Sequence, residues 1–304
     1  MPHSITSNRP LSDKIYMTPA PISVGIPTYA RGDKVETVIE RVLACQPPPA
    51  EVIVHVDQSN GELEKALAVR FPALRLLSSV KRVGPGGGRH RCLMAASEPI
   101  FASFDDDSVP IDPDYFARLV EHFSKNPSAA CLAAVIFHRG DSTPELGNSV
   151  KEVPDYIGCG YAMRVEMYRT VPGHFDRTVP YGFEERDVTL QLNDAGWHVL
   201  LCEDLRVFHD TILSHHGRPE ITSGTIENAV LLAWLRYPVS FWFYGMLQVG
   251  NLLFSLLKQG RFAGVTTGLL RSPVVVWNHR RLRKPVSART LQANIQLRHD
   301  SLKN

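Results

Sequence analysis

Three consecutive carboxylates, Asp105, Asp106 and Asp107, close the apolar run Ile100-Phe101-Ala102-Ser103-Phe104. Such groups repel one another, and holding them at the end of a buried strand is costly unless a cation or hydrogen bonds offset the charge. Oxygen ligands of this kind suit Mg2+ or Mn2+, which keep several waters and commonly bridge protein to diphosphate. The triplet therefore points to a metal or nucleotide site, against the plainer reading that aspartates favour turns. A second acidic set, Glu184, Glu185 and Asp187, opens a helix after Tyr181-Gly182-Phe183. Alone it reads as helix-start electrostatics, worth about 0.3–1 kcal/mol per acid. Coupled to the distant triplet, it offers a general base for a hydroxyl nucleophile. The turn from Gly84 to Gly88 fails the dinucleotide fingerprint, because Arg89 stands where a small residue is required, and it lacks the Gly-Lys-Ser/Thr of a P-loop. Its glycines still permit close backbone approach to a ligand, with helix N-terminal amides and Arg89 available for phosphate. His209 follows a strand-like run and is a candidate metal or phosphate contact, whereas His215-His216 read as surface residues.

These groups need a scaffold, and the hydrophobic pattern supplies one. Ile22 to Ile26 is a short apolar run closed by Pro27-Thr28, and Val35, Val38, Ile39, Val42 and Leu43 then repeat at helical spacing up to the triple proline at 47–49. Val52, Val54 and Val56 alternate in a strand ending at Asp57, followed by a helical segment near 61–70 and a strand near 74–77. The Gly84 turn opens a helix through Ala96, and the strand 100–104 delivers the triplet. Asp112-Pro113 reads as an N-cap with proline at the first helical position, the helix burying Phe116, Leu119, Val120 and Phe123. Strand alternating with helix over about 125 residues predicts a mostly parallel sheet with helices on both faces. Ligands bind such sheets beyond the carboxyl ends of the strands, where Asp57 and the triplet both fall. The second half is less regular: a strand near 130–137, a polar loop to Asp155, an apolar stretch at 158–163, the acidic turn with a short helix to Gly196, and two strands, 199–202 and 205–208, leading to His209.

With 304 residues, 44% hydrophobic and 21% charged, the composition is that of a globular protein and excludes extended disorder. The five cysteines are scattered, with no Cys-x-x-Cys pair, so neither a disulfide framework nor a cysteine zinc site is expected, and a reducing cytoplasmic setting fits. Residues 1–20 read as a polar, disordered tail. The net charge of +2 conceals an asymmetry: residues 258–304 hold ten Lys/Arg against Asp300 alone, and the preceding 257 carry a net −7. An acidic body argues against nucleic acid as a partner, while the basic C-terminal segment fits the anionic face of a membrane. Beside it, Tyr237 to Leu257 runs 21 residues without a charge, long enough to span a bilayer. Pro238, Ser240, Gln248 and Asn251 make it polar for a lone span; Trp234, Trp242 and the flanking Arg236, Lys258 and Arg261 suit a helix lying at the interface.

Taken together, these motifs resemble a family 2 glycosyltransferase of the GT-A fold, the resemblance covering roughly residues 20–215. VGIPTYAR is similar to that family's first strand and Pro-Thr turn, which implies Pro27 and Thr28 at the nucleotide-sugar. The strand ending at Asp57 matches the one whose aspartate meets the nucleotide base. GPGGGRHRCLMAAS resembles the Gly-rich stretch ending in Ala-Arg-Asn, with Gly88 and His90 in place of Ala and Asn, which implies Gly84 and Arg89 near the phosphates. FASFDDDSVP looks like the Asp-x-Asp strand, implying Asp105 near the ribose and Asp107 at the metal; beside these, Asp106 is expected on the nucleotide-sugar and His209, from its place after a strand, at the metal. GFEERDV fits Gly-x-Glu-Asp-x-Asp-Leu, so Glu185 takes the place of the usual catalytic aspartate, Asp187 is the second choice for base, and Glu184 lies on the acceptor side.

The resemblance implies a GT-A domain over 21–220 and a helical basic extension over 221–304. It implies an inverting, Mn2+- or Mg2+-dependent transfer from a nucleotide-sugar donor to a sugar, lipid-linked or small-molecule acceptor, at the cytoplasmic side of a membrane. Two other readings stand beside it. Asp105-Asp106-Asp107-Ser108-Val109 also resembles the nucleophile motif of haloacid dehalogenase-type phosphohydrolases, although that motif ends the first strand of its domain. A membrane-attached binding module without turnover is the third.

Overall fold

The computed structural model describes residues 18–29, 31–142, 145–176, 182–211 and 218–301. The tail 1–17, Tyr181 and the His215-His216 pair fall outside them. Among the described residues, β1 (Ala20–Thr28), α1 (Gly32–Leu43), β2 (Pro49–Asp57), α2 (Glu62–Arg70), β3 (Arg75–Ser79), α3 (Gly84–Ala95) and β4 (Ile100–Phe104) alternate as the periodicity requires. The chain continues through β5 (Ser108–Pro110), α4 (Tyr115–Lys125), β6 (Ala129–Phe137), β7 (Val150–Glu152), β8 (Gly160–Arg164), α5 (Val165–Arg169), α6 (Glu184–Asp194) and β9 (His198–His209). It ends in the helices α7 (Pro219–Arg236), α8 (Trp242–Lys258), α9 (Val265–His279) and α10 (Ala288–Ser301).

The strands form one sheet in the order β3-β2-β1-β4-β8-β6-β9-β5, with β7 also on β9. From β3 to β4 the sheet is parallel, as expected. Beyond β4 it is mixed: β8 runs antiparallel to both β4 and β6, and β5 and β7 run antiparallel to β9. Apolar residues of β1, β2 and β4 are buried on both faces. Ile22, Val24 and Ile26 pack under Val35, Ile39 and Phe116 on one side. Ile53 and Phe101 pack under Cys92, Leu93 and Val188 on the other. Double-sided burial is why these strands read as near-continuous hydrophobic runs.

Three local expectations change. Asp112 does not cap α4, which begins at Tyr115 after Asp114. Its carboxylate instead accepts from Arg206 Nε at 2.9 Å and faces Arg118 at 3.5 Å, a charge-assisted pairing that outcompetes a cap hydrogen bond. The two strands foreseen at 199–202 and 205–208 are one, β9, with a register irregularity where Ala133 pairs with Leu201 but Val135 with Arg206. The uncharged stretch 237–257 is not a single helix. With no N–H at Pro238, the chain leaves α7 at Arg236, makes a 3-10 turn over Val239–Phe241 and only then enters α8. Val239–Lys258 is by length and composition alone able to cross a membrane, and little of it is buried.

Candidate active site

The carboxyl ends of β1, β2, β4 and β9 open on one cavity of about 320 Å³, lined among others by Pro27, Thr28, Asp57, Gly84, Arg89, Asp105, Asp106, Asp107, Glu184, Glu185 and His209. Residues far apart in sequence thus share one cleft, at the edge where sheets of this type bind ligands.

The triplet forms a turn, not a rigid strand end. Ser108 Oγ accepts from the Asp105 N–H at 2.8 Å and donates to the Cys159 carbonyl at 2.7 Å, tying the turn to the start of β8. Each carboxylate then finds a different partner. Asp105 accepts from Arg89 Nη2 at 2.7 Å. Asp106 accepts from Thr28 Oγ1 at 2.8 Å and faces Arg31 at 3.2 Å. Asp107 faces Arg31 at 2.9 Å and Lys34 at 3.8 Å, and lies 3.0 Å from His209 Nε2. Pairing of β5 with β9 brings His209 there, since Ser108 is its register partner. Burial pushes the Asp106 carboxyl up to about 6 despite Thr28 and Arg31. Burial acts on Asp107 in the same sense, but the hydrogen bond and charge of His209, with Arg31 and Lys34, outweigh it and hold that carboxyl below its ordinary value.

Arg89 is the hub. Nearly inaccessible to solvent, it lies 2.7 Å from Asp105 and 3.4 Å from each of Glu184 and Glu185, so one guanidinium joins the two acidic motifs. Desolvation works against its charge, but the surrounding acids win and its pKa stands well above the ordinary value. The three-way pairing commits Arg89 to carboxylates, where the sequence expected it to be available for phosphate. At Glu185, burial first and the charge of Glu184 second raise the carboxyl to about 8 against the pull of Arg89. Gly158 closes the same corner: a Cβ there would lie 2.5 Å from both Arg89 Nη2 and Glu185 Oε1, so any side chain would have to displace one of them.

Asp187 stands apart. It does not line the cavity; its carboxylate is fully buried, bonded to Arg236 of α7 and accepting from Gln191 Nε2 at 2.9 Å. A group so enclosed by its own partners fastens α6 to α7 and is out of reach of a hydroxyl in the cavity. Asp57 lines the cavity, yet its oxygens accept from Ser79 Oγ at 3.0 Å and from the Val83 and Gly84 N–H groups at 2.9 and 3.0 Å. It thereby anchors the loop that begins α3. Within that helix Gly88 permits close packing, because a Cβ there would meet Pro27 Cβ at 2.9 Å.

Sequence reasoning gave no role to Arg31, Lys34 or Arg82, which bring cationic charge to the cavity or its acids. Arg31 was legible in VGIPTYAR, but no local pattern announces its pairing with residues 75 positions later. Cys159 was also passed over. Its thiol, a carboxylate oxygen of Asp105 and a ring nitrogen of His209 lie within 4.8 Å of one another. Burial raises that thiol above its ordinary pKa, and a soft sulfur is the wrong donor for hard, oxygen-seeking cations. Asp105 and His209 remain of that group, and Asp107, 3.0 Å from His209 Nε2, adds a second carboxylate, oxygen and imidazole donors that fit Mn2+ or Mg2+ better than a thiolate-seeking metal.

The description "Glycosyl transferase family 2" matches residues 23–171. Succinoglycan biosynthesis protein ExoO of Rhizobium meliloti (strain 1021) is 30% identical over 116 residues, 38% of this chain and 32% of that protein, so the chain spans about a third of that relative's length. GalNAc-T7, solved with UDP, GalNAc and Mn2+, superposes with a TM-score of 0.57 at 16% identity, covering 75% of this chain and 49% of its own. The mannosyltransferase PcManGT from Pyrobaculum calidifontis, in complex with GDP-Man and Mn2+, gives 0.55 at 14% identity over 93% of this chain and 87% of its own. S. aureus TarS 1-349 gives 0.56 at 13% identity over 79% and 74%. At these identities the structural likeness is one of fold. The sequence match and that fold agree: residues 23–171 belong to glycosyl transferase family 2.

Proposed function

We propose that the cavity transfers a sugar from a nucleoside-diphosphate donor to an acceptor hydroxyl with inversion at the anomeric carbon. The observation that carries this reading is the single cleft shared by the Asp105 triplet and the Glu184-Glu185 pair, joined through Arg89. The donor lies along the ends of β1, β2 and β4, its nucleoside toward Thr28 and Asp57 and its diphosphate toward Gly84, Arg31 and the triplet. Asp107 and His209, with Asp105, would hold Mn2+ or Mg2+. Such an ion, when bound, neutralises charge on a departing diphosphate.

Glu185 takes the proton of the acceptor hydroxyl as its oxygen attacks the anomeric carbon. The bond from that carbon to the diphosphate oxygen breaks on the opposite face, and the electron pair leaves with the diphosphate. A carboxyl raised to about 8 is a stronger base than an ordinary one, which is the tuning general-base catalysis requires near neutral pH. No general acid is needed, because the diphosphate is already a good leaving group. Glu184, 3.4 Å from Arg89, lies on the acceptor side and keeps the Glu185 proton affinity high.

We further propose that the protein works at the cytoplasmic face of a membrane on a membrane-borne acceptor. The helices α8 and α9 expose Phe243, Met246, Phe254, Leu270 and Trp277, and cationic side chains such as Arg271, Arg280 and Arg281 flank them. An apolar face bordered by cations suits an anionic bilayer surface.

Thermal-shift screening against nucleoside diphosphates and their sugars, with and without Mn2+, tests the reading. One donor class should stabilise the chain in a metal-dependent way. No stabilisation by any donor, or brisk phosphate release from a phosphomonoester that is lost in Asp105→Asn, would overturn it.

A further inference from the structure

The first turn of α1 reaches the acidic triplet, and it does so with cations. Arg31 is the residue before that turn and Lys34 lies within it, three positions on, so the two share one face of the helix. Positive charge at a helix N-terminus works against the helix dipole, which favours acids there, and Arg31 makes no side-chain cap. Groups outside α1 must therefore hold these side chains, and the carboxylates of Asp106 and Asp107 do so.

The oxygens can be followed one by one. Asp106 gives Oδ2 to Thr28 Oγ1 at 2.8 Å and Oδ1 to Arg31 Nη1 at 3.2 Å. Asp107 lies 3.0 Å from His209 Nε2 through Oδ1 and accepts from the same Arg31 nitrogen at 2.9 Å through Oδ2, with Lys34 Nζ 3.8 Å away. One guanidinium nitrogen thus bridges two acids and takes the oxygen of Asp107 that His209 leaves. A divalent ion coordinated by that oxygen would stand no more than about 5 Å from the guanidinium, an ion pair of 2.9 Å plus a coordination bond of about 2.1 Å. Even with the screening of bulk water, a double and a single positive charge at that distance repel by well over the thermal energy. Ion and arginine therefore compete for Asp107.

Burial says which of them gives way. The side chains of Arg31 and Lys34 are 49% and 47% exposed, whereas those of Asp106 and Asp107 are 10% and 8% exposed. The carboxylates are fixed, and the cations stand at the rim, where a long side chain swings at little cost in packing. Arg89, at 4% exposure and shared among three carboxylates, has no such latitude. Arg31 lines the cavity together with Gly84 and the triplet, so a diphosphate entering there offers the displaced guanidinium new oxygens, which its planar fork is shaped to grip.

We propose that Arg31, assisted by Lys34, is a displaceable counter-ion of the Asp106–Asp107 pair: it keeps a divalent cation off Asp107 until a nucleoside diphosphate enters, and then passes from the carboxylates to the diphosphate. This deepens the transferase reading and rests on it for the identity of the incoming anion. Metal and donor consequently bind together, each weakly without the other.

The test is calorimetric titration of the full chain with MnCl2 alone, with UDP or GDP in EDTA, and with UDP or GDP at fixed Mn2+, corrected for Mn2+–nucleotide complexes in solution. Wild type should bind Mn2+ alone weakly, and Mn2+ and the better nucleotide should tighten each other by the same factor, as linkage requires. Arg31→Met should bind Mn2+ alone about tenfold more tightly, the order that bulk-water screening leaves between the two charges. The same variant should bind nucleotide at saturating Mn2+ about tenfold more weakly, having lost a charge-assisted pair. Opposite signs from one substitution are what a merely structural role does not produce. Lys34→Met should move both affinities in the same directions by less, and Arg31→Lys should lie between wild type and Arg31→Met; these two keep the test decisive should Arg31→Met fold poorly. Mn2+ affinity unchanged or lowered in Arg31→Met, nucleotide affinity unchanged, or nucleotide held as tightly by wild type in EDTA as in Mn2+ would overturn the proposal. If Arg31→Met tightens Mn2+ while wild type binds neither nucleotide nor nucleotide-sugar, the passage to a diphosphate falls with the transferase reading and the hold of Arg31 on the metal site stands.

Discussion

If Glu185 is the base, the transfer rate follows its ionisation, and the structure sets where that happens. Burial and Glu184 raise its carboxyl to about 8. At pH 7, one unit below that value, only about one molecule in eleven carries the ionised base, whereas at pH 9 about ten in eleven do. The sign is upward: the rate constant at saturating substrates should climb about tenfold between pH 7 and 9 and then level off. Arg89 is the chief group opposing the rise, so Arg89→Met should carry the rising limb to higher pH. Glu185→Gln should abolish the limb and lower kcat by about 10²–10⁴, the usual contribution of a positioned base. Donor KM should change little, because Glu185 does not touch the carboxylates assigned to the donor other than through Arg89. Initial rates with the nucleotide-sugar that best stabilises the protein supply the measurement. A profile flat from pH 7 to 9, or a Glu185→Gln rate within a fewfold of wild type, would refute the assignment.

Asp107→Asn should weaken Mn2+-dependent stabilisation by more than about 100-fold, the upper end of what disturbing only the support of a metal site costs; titration calorimetry with Mn2+ measures it. Asp187→Asn should destabilise the chain by about 3–5 kcal/mol, since it leaves Arg236 charged and buried without its carboxylate; urea unfolding reads this, and near-unchanged stability would contradict the pairing. The chain should sediment with phosphatidylglycerol vesicles at low salt and be released at high salt, each basic side chain near the surface contributing about 1 kcal/mol. Phe243→Glu with Phe254→Glu should abolish that association and leave nucleotide binding intact.

Local pattern carried the first half of the fold well. The runs ending at Thr28, Asp57 and Phe104 are buried on both faces, and a strand of that kind announces itself through composition alone. The acidic triplet and the Glu184-Glu185 pair were legible as chemistry because like charges at element ends need an explanation. Partner choice was not legible. Asp112 looked like a cap until Arg206, 94 residues on, took its oxygens. Asp187 looked like a base until Arg236, 49 residues on, buried it. Arg89 was expected at a phosphate and is held by carboxylates up to 96 residues away. Nothing in a local window encodes such pairings; β5 against β9 sets Asp112 beside Arg206, and the packing of α7 on α6 sets Asp187 beside Arg236.

The C-terminal helices belong to this logic more than an appended extension would. Leu190 of α6 shares a small core with Leu232 and Tyr237 of the α7 end and with Val286 and Leu291 at α10. Asp194, the last residue of α6, accepts from the Ser287 N–H and from Thr290 Oγ1, each at 2.8 Å. With the buried Asp187–Arg236 pair, these contacts hold α6 from behind while Glu184 and Glu185 at its start face the cavity. A helix that presents a base must resist the pull of its own charge repulsion; Val188 and Leu192 hold α6 to the sheet, and α7 and α10 fix its other side. The same helices expose the apolar face of α8 and α9, so the surface suited to a bilayer and the wall that carries Glu185 are parts of one packed unit. Substitutions that loosen α7 from α6 should therefore disturb the acceptor side of the reaction before they disturb the donor, whose proposed contacts gather at the ends of β1, β2, β4 and β9.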